Sequence, residues 1–204
     1  MRRRLTKYKK ILGPVSEKDT LCLLYTPSRI GQSMPKGLKQ SSSVVAIGFS
    51  ALETVANTFV ETQVDLNLSP LDREVFVVLA VDLDCFAPNS VAGTNTAISA
   101  SLTTTRQTAV QNLSNSNCLA NQVLEIRCDP AAVDNGVGFS RQSGESPSSM
   151  LEYIGIIATN DFFVQLQGTN NTTVKSCSGK LYGYRAQASA DIFAALVQSE
   201  VLSA

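Results

Sequence analysis

The chain has 204 residues, and 44% of them are hydrophobic, which is enough for one domain with a substantial core. It contains no run of 18 apolar residues and no apolar segment directly behind its basic start, so we expect neither a membrane-spanning helix nor a signal peptide. It also contains no histidine, which removes the commonest general base, the usual serine and cysteine triads, and most zinc and iron sites.

The net charge of zero conceals two oppositely charged parts of the chain. Residues 1–40 contain ten Lys/Arg and two Asp/Glu, a net charge of +8, whereas residues 41–204 contain seven and fifteen, a net charge of −8. The first ten residues are MRRRLTKYKK, and their six positive charges repel one another. We expect this segment to be disordered when it is alone. Its positive charges could bind the phosphates of a nucleic acid or an anionic membrane surface. The alternative is a tail that only increases solubility. The basic residues proposed to bind a polyanion are Arg2, Arg3, Arg4, Lys7, Lys9 and Lys10.

Residues 1–43 are predicted to be a basic arm and linker. Pro27, Gly31, Pro35 and Gly37 argue against regular structure in the second half of this segment. Residues 44–204 are predicted to form a single domain.

The first strands of that domain are predicted at 44–52, 58–68 and 74–86. In 58–68, apolar and polar residues alternate, which is typical of a strand with one wet face. Residues 75–81 are apolar at every position, which indicates a strand buried on both faces. The side chains expected in the core between two facing sheets are Val75, Val77, Leu79 and Val81.

The second half of the domain shows the same turn-rich pattern. Further strands are predicted at 97–110, 123–128, 150–159, 161–167 and 172–186, with a short one near 137–139 and a loop at 112–121. Gly168–Asn171 is predicted to be a four-residue hairpin loop that joins the last two strands.

The periodicity changes near the end of the chain, and residues 189–202 are predicted to form a helix with Ser189 as its N-cap. The apolar stripe expected to pack on the body, or on a neighbouring subunit, consists of Ile192, Phe193, Leu196 and Val197. Many short strands and one terminal helix favour an antiparallel two-sheet sandwich over a doubly wound α/β fold.

Candidate chemistry is sparse. Asp82 and Asp84 fall on one face of a strand end and are weak candidates for a Ca²⁺ or Mg²⁺ site, but one pair supplies too few ligands, so a polar strand end is favoured. The five widely spaced cysteines form no C-x-x-C pair, and their odd number favours free thiols, with Cys85 read as a small buried hydrophobic residue. We expect no cofactor, apart from the alternative of a structural Ca²⁺, and no enzymatic activity.

The basic arm, the proline-containing linker, the strand-rich body and the helical tail together resemble the capsid proteins of small icosahedral viruses. The stretches SPLDREVFVVLAVDLD and IGIIATNDFFVQLQG look like jelly-roll capsid strands. This resemblance covers the whole chain at the level of architecture. It implies an all-β fold: an eight-stranded antiparallel jelly-roll sandwich, with an extended basic arm before it and a short helix after it.

The resemblance also implies a function. The chain would self-assemble in many copies into a virion shell after synthesis in the host cytoplasm, with its arm facing the packaged genome and other virion proteins as further partners. The alternative is a β-sandwich module that binds nucleic acid or carbohydrate, although a chain with no tryptophan and five tyrosines is poor in stacking platforms for sugars. A hydrolase is disfavoured by the missing histidine.

Overall fold

The computed structural model describes residues 35–129, 136–143 and 152–202. In this part of the chain ten strands precede one helix. The elements are β1 (Leu38–Gln40), β2 (Val45–Leu52), β3 (Val60–Asp65), β4 (Glu74–Cys85), β5 (Thr96–Thr103), β6 (Cys118–Cys128), β7 (Gly136–Ser143), β8 (Gly155–Ile157), β9 (Asp161–Thr169), β10 (Ser176–Ala188) and α1 (Ala190–Leu202).

The strands form two five-stranded antiparallel sheets. In the first sheet, β2, β10, β4 and β8 are neighbours in that order, and β1 pairs with the end of β10 on the same side as β2. The second sheet has the order β3-β9-β5-β6-β7. Eight strands, β2 to β6 and β8 to β10, have the strand order of a jelly roll. The predicted class, an antiparallel all-β sandwich with a short C-terminal helix, is confirmed, and β1 and β7 extend the eight-stranded pattern.

The main hydrophobic core lies between the two sheets. Phe49 of β2 meets Phe162 of β9 edge to face, with ring centroids 5.8 Å apart. The largest fully buried apolar side chains of this core are Phe76, Ile98, Leu102, Ile157, Phe162, Leu166 and Leu181. They come from β4, β5, β8, β9 and β10, so both sheets contribute to the core.

Strand β4 contains an irregularity that changes which residues face this core. In the pairing with β10, Tyr182 lies opposite Ala80 but Gly183 lies opposite Val78, so Leu79 is an extra residue on β4. Because side chains alternate between faces along a strand, one extra residue reverses the alternation beyond it.

The predicted core set is therefore divided between two faces. Val81 lies in the core between the sheets. Val75, Val77 and the half-buried Leu79 instead contribute to a second cluster on the outer face of the first sheet. The expectation that all four share the inter-sheet core is wrong for these three, although none of the four is exposed.

Helix α1 covers that outer face. The predicted stripe of Ile192, Phe193, Leu196 and Val197 packs against the second cluster, which confirms the docking of the helix on its own body. The helix begins one residue after Ser189, whose carbonyl accepts the Phe193 N–H at 2.9 Å. Within the described ranges, no helix is long and apolar enough to cross a bilayer.

Several predicted boundaries need correction. Strand β5 ends at Thr103 instead of 110, β6 begins at Cys118 inside the loop predicted at 112–121, and β8 is only three residues long. Leu38–Gln40, inside the predicted linker, pairs with β10 as β1.

The hairpin predicted at Gly168–Asn171 is also wrong. Strands β9 and β10 lie in different sheets, so the segment between them crosses from one sheet to the other. Asn171 is buried there, and its backbone N–H donates to the Asn57 side chain at 2.6 Å. Long-range side-chain contacts of this kind replace the local turn hydrogen bonds of a hairpin.

Candidate functional site

The basic residues predicted to contact a polyanion lie outside the described residues. These are Arg2, Arg3, Arg4, Lys7, Lys9 and Lys10. Their proposed role therefore stays a prediction.

The structure places Asp82 and Asp84 together on the outer face of the first sheet, and both are exposed. Lys180 lies directly opposite Asp82 on β10, and Ser178 lies opposite Asp84. In the described part of the chain, no group of three or more Cys, Asp or Glu is positioned to hold a metal ion. The structural Ca²⁺ hypothesis thus gains no further ligand from these residues, and the local surroundings are those of a polar strand end beside a lysine.

Four of the five cysteines lie among the described residues, and Cys22 lies outside them. Cys85, Cys118, Cys128 and Cys177 are all free. Cys85 and Cys177 are buried and face each other on neighbouring strands, and their mutual hydrogen bond, together with burial, raises the pKa of Cys85 far above its ordinary value. Burial also raises the pKa of Cys118 to about 11. Thiols that stay protonated are poor nucleophiles, so Cys85 and Cys118 act as packing residues.

The outer face of the second sheet carries a buried polar network centred on Gln165, which is fully buried. The Ser101 hydroxyl donates to Gln165 Oε1 at 2.9 Å. Gln165 Nε2 donates to Thr103 Oγ1 at 2.7 Å and to Glu61 Oε2 at 3.2 Å. These bonds use both ends of the amide, as a buried glutamine requires.

The segment between β5 and β6 covers this network. The Gln111 N–H donates to Ser101 Oγ at 3.0 Å, and the Gln107 N–H donates to Glu61 Oε2 at 2.8 Å. The Asn121 side chain donates to the Gln111 carbonyl at 2.6 Å. Polar contacts therefore hold the long connection against the sheet.

A carboxylate pair lies on the same sheet face, at its other end. Asp65 of β3 and Asp161 of β9 are directly opposite, and Gln63 Nε2 donates to both, at 3.2 and 2.7 Å. Burial and, second, the charge of Asp65 raise the pKa of Asp161, while Arg106 lowers it. Like charges in this position are unfavourable, and the shared amide donor offsets part of that cost.

Beyond the covered region, the outer face of the second sheet forms an open groove of about 350 Å³. Strand pairing places four residues in one row across its floor, namely Gln167, Ser99, Val123 and Arg141. The next row consists of Thr169, Ala97, Glu125 and Phe139. Residues 109–112 form one wall. An adjoining groove of about 240 Å³ shares Val123 and Arg141 with the first.

The charges in the adjoining groove differ from those of the rest of the body. Arg127 donates from Nε and Nη2 to Glu125 Oε2 at 2.9 and 2.8 Å, and its guanidinium lies 5.8 Å from the centroid of the Phe139 ring. Arg141 is 3.8 Å from the other Glu125 oxygen, and its side chain is 76% exposed. Two guanidinium groups thus flank one carboxylate, whereas the described residues as a whole contain nine Lys/Arg and thirteen Asp/Glu.

One end of the sandwich exposes apolar side chains. Leu52 pairs with Ser176 of β10, and the Phe86 N–H donates to the Ser176 carbonyl at 3.0 Å, so these two apolar residues flank the start of β10. Leu52 is 60% exposed and Phe86 is 70% exposed, and Val55 and Val174 of the neighbouring connections are also exposed. Exposed apolar residues grouped in this way favour contact with another surface.

The sequence indicated neither the groove nor the apolar end. Both depend on which strands become neighbours, and the pairing of β5 with β9 joins residues at least sixty positions apart. The alternation of Ser99 and Ser101 with Ile98 and Ala100 was the available signal, since it predicts a strand with a polar face.

No family model matches the sequence, and no curated protein matches it. Among solved structures, a chain of Desmodium yellow mottle tymovirus is similar, with 12% sequence identity and a TM-score of 0.30. The match covers 72% of this chain and 87% of that chain. At this identity and TM-score the likeness adds nothing to the argument, so the fold assignment depends on the strand order itself.

Proposed function

We propose that the chain is a structural capsid protein that self-assembles in many copies into an icosahedral shell around a genome. The observation that carries the proposal is the jelly-roll order, with β2-β10-β4-β8 facing β3-β9-β5-β6. Jelly rolls occur in viral capsid proteins, lectin domains and cupins, so the fold alone does not select among them.

The division of charge favours the capsid among these alternatives. A net charge of +8 on residues 1–40 precedes a body of net charge −8. The acidic body repels nucleic acid, so contact with a packaged genome runs through the basic arm, whose phosphate contacts need no particular base sequence. In the shell, the arm faces the interior.

The exposed apolar residues support a role in assembly, in which copies of the chain bury surface against one another. Leu52 and Phe86 form an exposed apolar end at one edge of the sandwich. The absence of histidine is also consistent with a structural role instead of catalysis. The proposed location is the virion, after synthesis in the host cytoplasm, with other virion proteins as additional partners.

Particle size tests the assembly proposal directly. Purified full-length protein should give closed particles of megadalton mass in light scattering and rounded shells in negative-stain electron microscopy. A protein that stays monomeric or forms small oligomers, with nucleic acid present or absent and across a range of salt and protein concentrations, would favour a β-sandwich binding module instead.

A truncation tests the arm. Deletion of residues 2–10 should remove nonspecific binding of nucleic acid and leave the melting temperature of the body unchanged. For the intact chain, the logarithm of the binding constant should fall with the logarithm of salt concentration by roughly 0.7–0.9 per neutralised phosphate. Equal affinity of the intact and truncated chains would reject the role of the arm.

A further inference from the structure

The groove on the outer face of the second sheet has no part in the proposed shell function. We infer that it binds an acidic saccharide, a sugar that carries a carboxylate. The groove is built entirely within one copy of the chain, so this inference does not depend on assembly.

The floor of the groove offers hydrogen-bonding groups that have no partner of their own. In the described part of the chain, the side chains of Ser99, Gln167 and Thr169 make no hydrogen bond. Ser99 and Gln167 are directly opposite on neighbouring strands, and both are half-buried. An amide and two hydroxyls act both as donors and as acceptors, which matches the hydroxyl groups of a sugar. A ligand that binds Ser99 and Gln167 supplies bonds that these two half-buried groups otherwise make only with water, and the exposed Thr169 adds a further hydroxyl.

The charge of the groove calls for one anionic group on the ligand. Arg127 is engaged with Glu125 through two bonds, but Arg141 approaches the same carboxylate only to 3.8 Å, which is longer than a hydrogen bond. The Arg141 guanidinium can therefore turn to a ligand carboxylate and bind it with two parallel bonds. It lies in the same row as Ser99 and Gln167, so a carboxylate at Arg141 directs the rest of the ligand along the floor.

Size and surroundings favour a small saccharide over a nucleic-acid strand. The volume of about 350 Å³ lies in the range of small-ligand sites. Phe139 lines the adjoining groove, is 53% exposed, and offers an apolar surface to the hydrophobic face of a sugar ring. Glu125 lines the adjoining groove and opposes the regularly spaced phosphates of a nucleic acid, which would need several cations in a row.

Binding can be measured by saturation-transfer NMR on the full-length protein with 3′-sialyllactose as the probe. Lactose serves as the uncharged control, sodium sulfate tests for a simple anion site, and a short single-stranded oligonucleotide tests the nucleic-acid alternative. We expect saturation transfer to sialyllactose at millimolar concentration, with at least roughly tenfold weaker binding of lactose, because the charge-assisted bonds to Arg141 are lost. No transfer to sialyllactose would refute the inference, as would equal displacement by sulfate or stronger displacement by the oligonucleotide.

Matched variants locate the site. R141Q should weaken sialyllactose binding roughly tenfold, and Q167A should weaken sialyllactose and lactose alike. R106Q is the control, because Arg106 is an exposed arginine on the same sheet face but outside the groove. An equal loss in R106Q and R141Q, with melting temperatures unchanged, would refute the site. Particles that form normally but do not bind the probe would reject this inference and leave the shell proposal intact.

Discussion

Glu53 provides a sharp test of how the two sheets are held together at one end of the sandwich. Its side chain is 2% exposed, although it is a carboxylate. Oε1 accepts the Gly168 N–H at 2.6 Å and Oε2 accepts the Lys175 N–H at 2.8 Å. One side chain that follows β2 therefore binds the end of β9 and the residue just before β10.

The substitution E53Q keeps the size of the side chain and removes one acceptor. The amide oxygen can still accept one of the two N–H groups, but the NH₂ group then faces the other donor. Hydrogen bonds to charged groups contribute about 1.5–3 kcal/mol each, and neutralisation recovers part of the desolvation cost of the carboxylate. We expect E53Q to lower the free energy of unfolding by about 1–3 kcal/mol, which lowers the melting temperature by roughly 2–12 °C for a chain of this size.

Urea unfolding and calorimetry measure this effect, with D84N as the control. Asp84 is exposed on the first sheet, so D84N removes the same charge without disturbing a buried bond. We expect the stability of D84N to stay within about 0.5 kcal/mol of the parent. If E53Q is as stable as D84N, the two backbone contacts do not hold the crossing between the sheets, and this account of the connection is wrong.

The remaining predictions concern packing and pH. L181A should cost about 2–5 kcal/mol by chemical denaturation because Leu181 is fully buried between the sheets, whereas L71A, at a position 96% exposed, should cost less than about 0.5 kcal/mol. G183A should destabilise by about 1–3 kcal/mol, since an added Cβ would lie 2.3 Å from the Val77 carbonyl oxygen, and an unchanged melting temperature would contradict the pairing. Burial raises the pKa of Glu200, so the folded state retains its proton to higher pH than the unfolded state does. The stability of the parent relative to E200Q should therefore fall as pH rises above about 4.3, and a rise would reverse the assigned sign.

The prediction of β4 shows what a sequence pattern can and cannot determine. A run of apolar residues from Val75 to Val81 predicts a strand buried on both faces, and this prediction is confirmed. The pattern cannot assign individual residues to one face, because every position is apolar. The extra residue at Leu79 reverses the alternation, and it is visible only in the register against β10.

Local turn chemistry was a poor guide to topology for a similar reason. Gly168 and Asn170 suit a hairpin turn, and Asn170 does adopt a positive φ of 54°. Yet β9 pairs with β3 and β5, whereas β10 pairs with β2 and β4 in the other sheet. Gly168 and Thr169 instead end β9, and Asn170 begins the crossing between the sheets. The sequence of residues 168–171 is compatible with either outcome.

The basic arm of the proposed shell protein and the proposed saccharide groove differ in how far the sequence predicts them. The basic arm follows from composition alone, since its charge is contiguous along the chain. The saccharide groove unites β9, β5, β6 and β7, whose pairing order follows neither chain order nor hydropathy. Ser99 and Gln167 acquire a common role only because the jelly roll places their strands side by side. The strand order therefore determines which side chains share a site on the face of a sheet. Variants of such a site can be designed only when the register shows which side chains lie in the same row.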